Sequence, residues 1–475
     1  MKTIDLKNLN IKSAHQALVR GDYTVRELCE AYIAEIKKKD PDIHAYLEVY
    51  EDVFQQADLA QKKVSKNNLL AGIPMAIKDN ILIEGRRAGG ASKILEGYVA
   101  PYDATAIKKL RDAGVVFIGR TNMDEFAMGS STENSAYGVT KNPHDLTRVA
   151  GGSSGGSAAA VGGGLALAGL GSDTGGSVRQ PASYCGVVGL KPTYGSISRY
   201  GLMAMGSSLD VIGSLTKTVT DAEILFNCMK SVDRFDSTSI DVNIKGKEQK
   251  ISPKILGVPR HFLRDDGLDR DVMRVFEESV EKFKKLGYEI REIKLPNIEY
   301  ALAVYYVLMQ AEVSANLSRF DGVKYGLHRD GRDLLEDYLL TRAEGFGREA
   351  RRRIMLGTYV LSAGYYDAYY NKASAVRELL KSDFAKAFQT VDAILTPTAP
   401  SVAFKIGEKI ADPVAMYLED IFTVTANLVG VPAISIPAGN KDIRGKKMPI
   451  GLQLIASHGR ENILFGLGKQ FLNES

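Results

Sequence analysis

The sequence of 475 residues contains no tryptophan, only three cysteines and no long apolar run. Cys29, Cys185 and Cys228 are an odd number at unrelated spacings, which argues against a disulfide framework or a zinc site of the CxxC type. The longest apolar stretch, 158–171, is rich in glycine and shorter than the roughly 20 residues that a spanning helix needs. The first 13 residues lack the apolar core of a signal peptide. We therefore expect a cytoplasmic protein with reduced thiols and no membrane association.

The sequence also lacks an excess of positive or negative charge. The chain has 61 Lys and Arg against 57 Asp and Glu, a net charge of +4, and no long block of one sign. Direct binding of nucleic acid usually requires a basic patch, so this balance argues against it. With 45% hydrophobic and 25% charged residues, the composition is that of an ordinary globular protein.

Short apolar runs alternate with helical patterns along the whole chain. The helical patterns include 104–113 and 271–286, and the runs that predict strands are 69–77, 115–119, 165–171, 255–259, 288–295, 393–396, 432–436 and 450–455. The first 65 residues carry mainly helical signals, with Thr24 placed as an N-cap and Glu27 three residues later. We therefore predict one large α/β domain over 1–475, with a mixed central β-sheet covered by helices on both faces and a helical N-terminal arm at 1–65.

The most informative segments are two clusters of glycine and serine at 150–157 and 171–179. They enclose the apolar stretch 158–170, so their glycines are expected inside a core, where they let backbone N–H groups converge on one ligand atom. Neither cluster is followed by the lysine of a phosphate-binding P-loop. Thr174 stands where a dinucleotide fingerprint needs its third glycine. The two clusters therefore do not predict nucleotide binding.

The segment 151–155 satisfies the GxSxG pattern of a nucleophile elbow, with Ser153 at its centre. An elbow of this kind needs a histidine as general base, and three histidines follow in the chain: His261, His328 and His458. None of them lies in a glycine-rich context, and a single histidine more often has a structural role. The pattern leaves this site open as an alternative.

Several separated motifs together resemble the amidase signature family. The similar segments are 72–80, 151–157, 171–179 and 186–195. The resemblance implies a catalytic triad of a serine nucleophile, a second serine preceded by a cis peptide bond, and a lysine. The matching residues are Ser177, Ser153 and Lys78. It also implies an oxyanion hole formed by the backbone N–H groups of Thr174, Gly175, Gly176 and Ser177.

A lysine that serves as the base must be neutral near pH 7. Its pKa must then fall from about 10.4 to near neutrality, which corresponds to roughly 4 kcal/mol and requires burial. The apolar run 73–77 would deliver Lys78 into the interior at its end. Asp173 and Arg179 flank the nucleophile, and we expect them to pair and hold its loop rather than take part in the chemistry.

Further segments resemble one branch of the family, the glutaminase subunits of tRNA-dependent amidotransferases. They are 124–135, 316–322, 344–349, 352–358 and 363–370. The resemblance implies that glutamine is hydrolysed and that ammonia passes to a B subunit, which amidates Glu-tRNA(Gln) and/or Asp-tRNA(Asn). It implies a heterotrimer with a C subunit, with mischarged tRNA held through the B subunit. ATP and Mg²⁺ would be used by that partner, and no cofactor or metal is expected in this chain.

Glutamine carries a carboxylate and an ammonium group besides its amide. A selective pocket needs an arginine for the first and a carboxylate for the second. The resemblance assigns these roles to Arg353 and Asp420, with Tyr305 as a neighbouring hydrogen-bonding group. Because three arginines are consecutive, the choice among Arg351, Arg352 and Arg353 stays open. Two alternative functions also stay open: a stand-alone amidase acting on aryl or aliphatic amides, and a scaffold without activity.

Overall fold

The computed structural model describes residues 4–242, 254–263 and 267–474. Its strands are β1 (Tyr46–Val49), β2 (Pro74–Lys78), β3 (Val116–Thr121), β4 (Lys141–Asn142), β5 (Asp145–Val149), β6 (Ala168–Asp173), β7 (Val188–Lys191), β8 (Val211–Thr216), β9 (Ile255–Val258), β10 (Glu289–Glu292), β11 (Ala393–Pro397), β12 (Ala433–Ile443) and β13 (Lys446–Ala456). All eight strands predicted from apolar runs are confirmed, with bounds that shift by up to seven residues, the largest shift being at the end of β12.

The helices are α1 (Ile11–Arg20), α2 (Val25–Ile43), α3 (Val53–Gln61), α4 (Thr105–Asp112), α5 (Gly155–Gly162), α6 (Arg179–Cys185), α7 (Val219–Met229), α8 (Arg270–Lys285), α9 (Ala301–Leu317), α10 (Leu334–Gly345), α11 (Arg348–Leu361), α12 (Lys372–Ala387), α13 (Pro413–Tyr417), α14 (Val424–Val429) and α15 (Glu461–Leu472). A π-helix at Asp367–Asn371 leads into α12. Among the described residues, no helix combines the length and the apolar character needed to cross a membrane.

Eleven strands form one sheet in the order β1-β3-β2-β6-β8-β7-β12-β13-β11-β9-β10, and β4 pairs with β5 separately. Strand β2 runs parallel to β3 and to β6, and β9 runs parallel to β10 and to β11, whereas the other pairs are antiparallel. Every residue of β2, β6 and β8 is buried. Since successive side chains of a strand point to opposite faces, both faces of the sheet are covered. The predicted α/β fold with a mixed sheet is confirmed.

The N-terminal region combines helices with one strand. Helix α2 begins with a capping box in which Thr24 and Glu27 each accept a hydrogen bond from the other's backbone N–H group, as predicted. Strand β1 pairs antiparallel with β3 at the edge of the sheet. The helical signals of 1–65 did not predict this strand. It has only four residues, and its hydrogen-bonding partner, β3, comes from a distant part of the chain.

The central strands β2 and β6 bring the conspicuous sequence motifs together. They are parallel neighbours, with Ile77 opposite Leu170, so their carboxyl ends meet at one edge of the sheet. Lys78 is the last residue of β2 and Asp173 the last of β6. Helix α5 follows Ser153 and Ser154 and packs against both strands. Such an edge is where α/β sheets usually place their ligands.

Candidate active site

The side chain of Lys78 is surrounded by serine hydroxyl groups. It has no solvent exposure, and its Nζ donates to Ser153 Oγ at 2.7 Å, Ser154 Oγ at 2.9 Å and Ser172 Oγ at 2.9 Å. Burial lowers the pKa of Lys78 to about 7. Three carboxyl groups act against this shift in pKa: Asp124, Asp173 and Asp210. The amine is therefore poised between its neutral and charged forms near neutral pH.

Ser153 and Ser177 lie on two loops that are joined beside this amine. The Gly152–Ser153 peptide bond is cis, as the resemblance implied. The N–H group of Ser154 donates to the carbonyl of Ser177 at 3.1 Å, which joins the two loops. Ser177 is 8% exposed, whereas Ser153 is fully buried. Within residues 4–242, no hydrogen bond joins Ser153 Oγ to Ser177 Oγ, and such contacts often tighten only when substrate is bound.

The loop that carries Ser177 is held by Asp173. Its carboxylate accepts from the N–H group of Gly176 at 2.8 Å and from Val178 at 3.2 Å, and it forms two hydrogen bonds with Arg179 at 2.9 and 3.0 Å. The predicted pairing of Asp173 with Arg179 is confirmed. Burial alone would raise the pKa of Asp173, but the charge and hydrogen bonds of Arg179, together with the charge of Lys191 and a hydrogen bond from Asn427, outweigh burial and lower the pKa to about 2.

The hydrogen bond between Gly176 and Asp173 removes one of the N–H groups predicted to form the oxyanion hole. The N–H group of Gly176 is engaged, because it donates to Asp173 Oδ1. Of the four predicted donors, those of Thr174, Gly175 and Ser177 then remain for an oxyanion. That role stays a prediction for these three groups.

The guanidinium group of Arg179 ties the loop to the distant C-terminal part of the sheet. It is fully buried and also donates to the carbonyl of Thr423 at 2.9 Å, Gln453 Oε1 at 2.6 Å and Asn427 Oδ1 at 2.5 Å. Sequence reasoning missed Asn427 and Gln453, since they come from α14 and β13. Nothing in their local sequence marks them.

Both glycines before Ser177 are required by close contacts. A Cβ at Gly175 would lie 2.5 Å from Cζ of Tyr305. Gly176 has a φ of +144°, and its Cβ would lie 2.2 Å from Thr423 Oγ1. Tyr305, on α9, therefore lies directly against the loop that carries Ser177, and its role in binding substrate stays a prediction.

The three consecutive arginines of α11 differ in their surroundings. Arg351 is exposed, Arg352 is half-buried, and Arg353 is 3% exposed. The Nε of Arg353 donates to Glu349 at 2.7 Å, and its guanidinium group lies over the rings of Tyr306 and Tyr417, at 5.5 and 5.6 Å from their centroids. Burial beside the site favours Arg353 over its neighbours. Sequence reasoning missed Glu349, although an acid four residues before an arginine on a helix could have indicated it.

Asp420 lies against the loop that carries Ser177. Its Oδ2 accepts from Ser130 Oγ at 2.7 Å and from the hydroxyl of Tyr306 at 3.5 Å. Burial raises the pKa of Asp420 to about 7, and its Oδ1 lies 3.4 Å from where a Cβ of Gly176 would stand. Because Tyr306 contacts both Asp420 and Arg353, the site presents a buried carboxyl group and a buried guanidinium group on one wall. Ser130 was not among the predicted site residues.

The three histidines of the alternative elbow site bond elsewhere. Their ring nitrogens contact the carbonyl of Leu295 (His261, 3.2 Å), the carboxylate of Asp330 (His328, 3.2 Å) and the carbonyl of Val429 (His458, 3.1 Å). The group that contacts Ser153 Oγ is instead the amine of Lys78. The geometry favours a lysine over a histidine as the base.

Known protein families and sequences are similar to this chain over almost its whole length. The family model described as Amidase matches residues 27–465. The chain is 49% identical over 463 residues to a protein of Microcystis aeruginosa named as the A subunit of glutamyl-tRNA(Gln) amidotransferase, covering 96% of this chain and 95% of that protein. A protein of the same name from Persephonella marina is 50% identical over 477 residues, with 98% and 97% covered.

Solved structures show the same fold. The structure of the A subunit of glutamyl-tRNA(Gln) amidotransferase from Thermotoga maritima matches with a TM-score of 0.82 and 44% identity, covering 100% of this chain and 96% of that one. The peptide amidase of Stenotrophomonas maltophilia matches with a TM-score of 0.80 and 26% identity, covering 99% and 97%.

Proposed function

Since this chain belongs to the amidase family and is an enzyme of that kind, we propose that it hydrolyses glutamine as the glutaminase subunit of a tRNA-dependent amidotransferase. Similarity over almost the whole chain to proteins named as the A subunit of such an enzyme supports this function. The observation that carries the catalytic part is the 2.7 Å contact between the buried amine of Lys78 and Ser153 Oγ, next to the loop of Ser177.

The first step acylates Ser177. Its Oγ attacks the carboxamide carbon of glutamine, while its proton passes to Ser153 and the proton of Ser153 passes to neutral Lys78. The carbonyl oxygen becomes an oxyanion, held by the N–H groups of Thr174, Gly175 and Ser177. The hydroxyls of Ser154 and Ser172 keep the amine of Lys78 in place during this transfer.

The second step returns the proton and releases ammonia. The ammonium of Lys78 donates through Ser153 to the leaving nitrogen, and the C–N bond breaks to leave a γ-glutamyl ester on Ser177. Water then attacks this ester with the same relay as base. Glutamate leaves, and all three groups regain their initial protonation states.

Two buried charges suit the zwitterionic end of glutamine. Arg353 would bind the α-carboxylate and Asp420 the α-ammonium group, with Tyr305 as a hydrogen-bonding neighbour. Charge pairs formed away from water are stronger than those at the surface. An aryl or aliphatic amide would leave both groups without a ligand, so the site favours glutamine over the substrates of a stand-alone amidase.

The ammonia would then serve a partner. We propose a heterotrimer in which Glu-tRNA(Gln) and/or Asp-tRNA(Asn) is amidated by the B subunit with ATP and Mg²⁺, and a C subunit completes the assembly. This chain would need no cofactor or metal, would contact mischarged tRNA only through the B subunit, and would work in the cytoplasm.

The test compares Ser177→Ala with Ser237→Ala, a change at an exposed serine far from these loops in sequence. Each variant is assembled with the partner subunits and supplied with mischarged tRNA, ATP and either glutamine or free ammonia. We expect Ser177→Ala to lose glutamate release and glutamine-dependent amidation but to keep ammonia-dependent amidation, whereas Ser237→Ala keeps all three. Glutamate release by Ser177→Ala would refute the proposal.

A further inference from the structure

Helix α11 has two faces with different surroundings. Its inner face carries Arg353 and packs against α9, closely enough that a Cβ at Gly357 would lie 1.9 Å from the carbonyl oxygen of Gln310. Its outer face and the following turn expose large apolar and aromatic side chains, between 37% and 72% each. They form the tyrosine face: Met355, Leu356, Tyr359, Leu361, Tyr365, Tyr366 and Tyr369.

Three rings of the tyrosine face, those of Tyr359, Tyr365 and Tyr369, are packed against one another. The centroids of Tyr359 and Tyr365 are 4.3 Å apart, and those of Tyr365 and Tyr369 are 6.1 Å apart. Tyr366 stacks on Tyr370 at 5.0 Å. Contiguous exposed apolar surface of this kind usually marks an interaction site, and tyrosine is enriched among the residues that dominate binding energy. Mutual packing holds these rings in place before any partner arrives.

The charge of this segment indicates which class of macromolecule it fits. Residues 354–370 contain no lysine or arginine, and their single charged residue is Asp367. A surface that binds RNA needs cations for the phosphates, even where aromatic side chains stack on bases. The tyrosine face therefore fits an apolar protein surface that offers hydrogen-bond acceptors to the tyrosine hydroxyl groups.

We propose that the tyrosine face is the docking surface for the tRNA-amidating subunit, an inference that rests on the proposed function. The subunit that receives ammonia must sit near the site that releases it, and the tyrosine face begins on the outer side of the same helix that carries Arg353. Since a helix with its side chains is about 10 Å in diameter, the tyrosine face and Arg353 are separated by roughly the width of one helix. A stable interface buries about 800 Å² on each partner. We therefore expect the tyrosine face to be the apolar centre of a larger interface.

The test uses the full chain and the amidating subunit of the same enzyme. The variant carries Met355→Glu and Tyr366→Glu, which place two charges in the tyrosine face. The matched control carries Leu59→Glu and Val232→Glu, at residues that are 63% and 61% exposed elsewhere on the molecule. We expect the affinity for the amidating subunit to fall about 100-fold in the variant and to stay unchanged in the control, since a few central residues dominate such interfaces.

Glutamate release by the chain assembled with its partner subunits is measured in parallel, so that a failure of the proposed function can be told apart from a failure of the docking surface. If wild-type chain and subunits together release no glutamate, the proposed function fails, whatever the affinities. If the Met355→Glu, Tyr366→Glu variant keeps the affinity of the wild type for the amidating subunit, the docking surface is refuted.

A second measurement does not depend on the variant folding. Hydroxyl-radical labelling of the wild-type chain should reach Met355, Tyr365 and Tyr366 when the chain is free, and labelling should fall when only the amidating subunit is added. Leu59 should be labelled equally in both states. Protection only by the C subunit, or only by tRNA, would overturn the proposal.

Discussion

Lys78 Nζ lies 2.7 Å from Ser153 Oγ at the end of a fully buried strand, where burial lowers the pKa of the amine to about 7. The lysine thus has both properties of a general base, contact with the proton that it must accept and a neutral form at physiological pH. The parallel pairing of β2 with β6 brings Lys78 to the loop that carries Ser177.

Replacing Lys78 by arginine keeps a positive charge at this position but removes the group that can accept a proton. The introduced arginine would still donate hydrogen bonds, but a guanidinium group keeps its proton at all ordinary pH values and cannot accept another. We expect Lys78→Arg and Lys78→Ala each to lower kcat for glutamine by at least about 10³-fold, within the range attributed to general acid–base catalysis. His458→Ala serves as control and should keep nearly full activity. An active Lys78→Arg would contradict the relay.

The dependence of kcat/KM on pH follows from two groups. Burial lowers the pKa of Lys78 to about 7 and raises that of Asp420 to about 7. The base must be neutral and the acid ionised, so both active forms increase as pH rises. We expect log(kcat/KM) for glutamine to rise with a slope of about one to two below pH 7 and to level off above about pH 8. An amide without the α-ammonium group should give a slope of about one; a falling profile would rule out this assignment.

Arg353 should determine affinity for the α-carboxylate. Arg353→Lys keeps the charge but removes the planar pair of donors, and losing one hydrogen bond to a charged group costs about 1.5–3 kcal/mol, so KM should rise by roughly 10-fold or more while kcat changes less. Arg351→Lys, at an exposed position of the same helix, is the matched control. The KM of both variants is measured by steady-state kinetics with glutamine. An equal rise of KM in both would contradict the assignment of Arg353 to the α-carboxylate.

Gly175 should be intolerant of a side chain. A Cβ there would lie 2.5 Å from Cζ of Tyr305, so Gly175→Ala must displace either the tyrosine or the nucleophile loop. We expect kcat/KM for glutamine to fall at least about 10²-fold, as when one oxyanion donor is removed. Gly466→Ala, on α15, meets no atom within 4 Å and is the control. Thermal unfolding of both variants should resemble that of the wild type; loss of activity through unfolding alone would contradict the prediction.

The sequence indicated those parts of the site that lie in one motif. Lys78 ends an apolar strand, and Asp173 and Arg179 flank the nucleophile within a single glycine-rich segment, so their placement follows from local pattern. Strands β2 and β6 were predicted for the same reason, since their apolar runs are continuous, whereas the neighbouring β8 and β7 were not predicted. Strand β1 was missed because four residues, three of them half-exposed, carry little signal.

Contacts between distant segments were not predictable in this way. Ser130 bonds to Asp420 across 290 positions of sequence, and Asn427 and Gln453 reach Arg179 across 248 and 274 positions. No local sequence pattern distinguishes these polar residues from others, because their contacts form only when the sheet is assembled. The engagement of the Gly176 N–H group by Asp173 depends on the turn itself, which residue types alone do not specify.

Trapping of the covalent intermediate is the most direct test of the catalytic account. The assembled enzyme is mixed with labelled glutamine, quenched in acid within one turnover and digested, and the modified peptide is located by mass spectrometry. The account predicts a γ-glutamyl ester on Ser177 in the wild type and none in Ser177→Ala. A label on Ser153, or glutamate release with no label on Ser177, would contradict it.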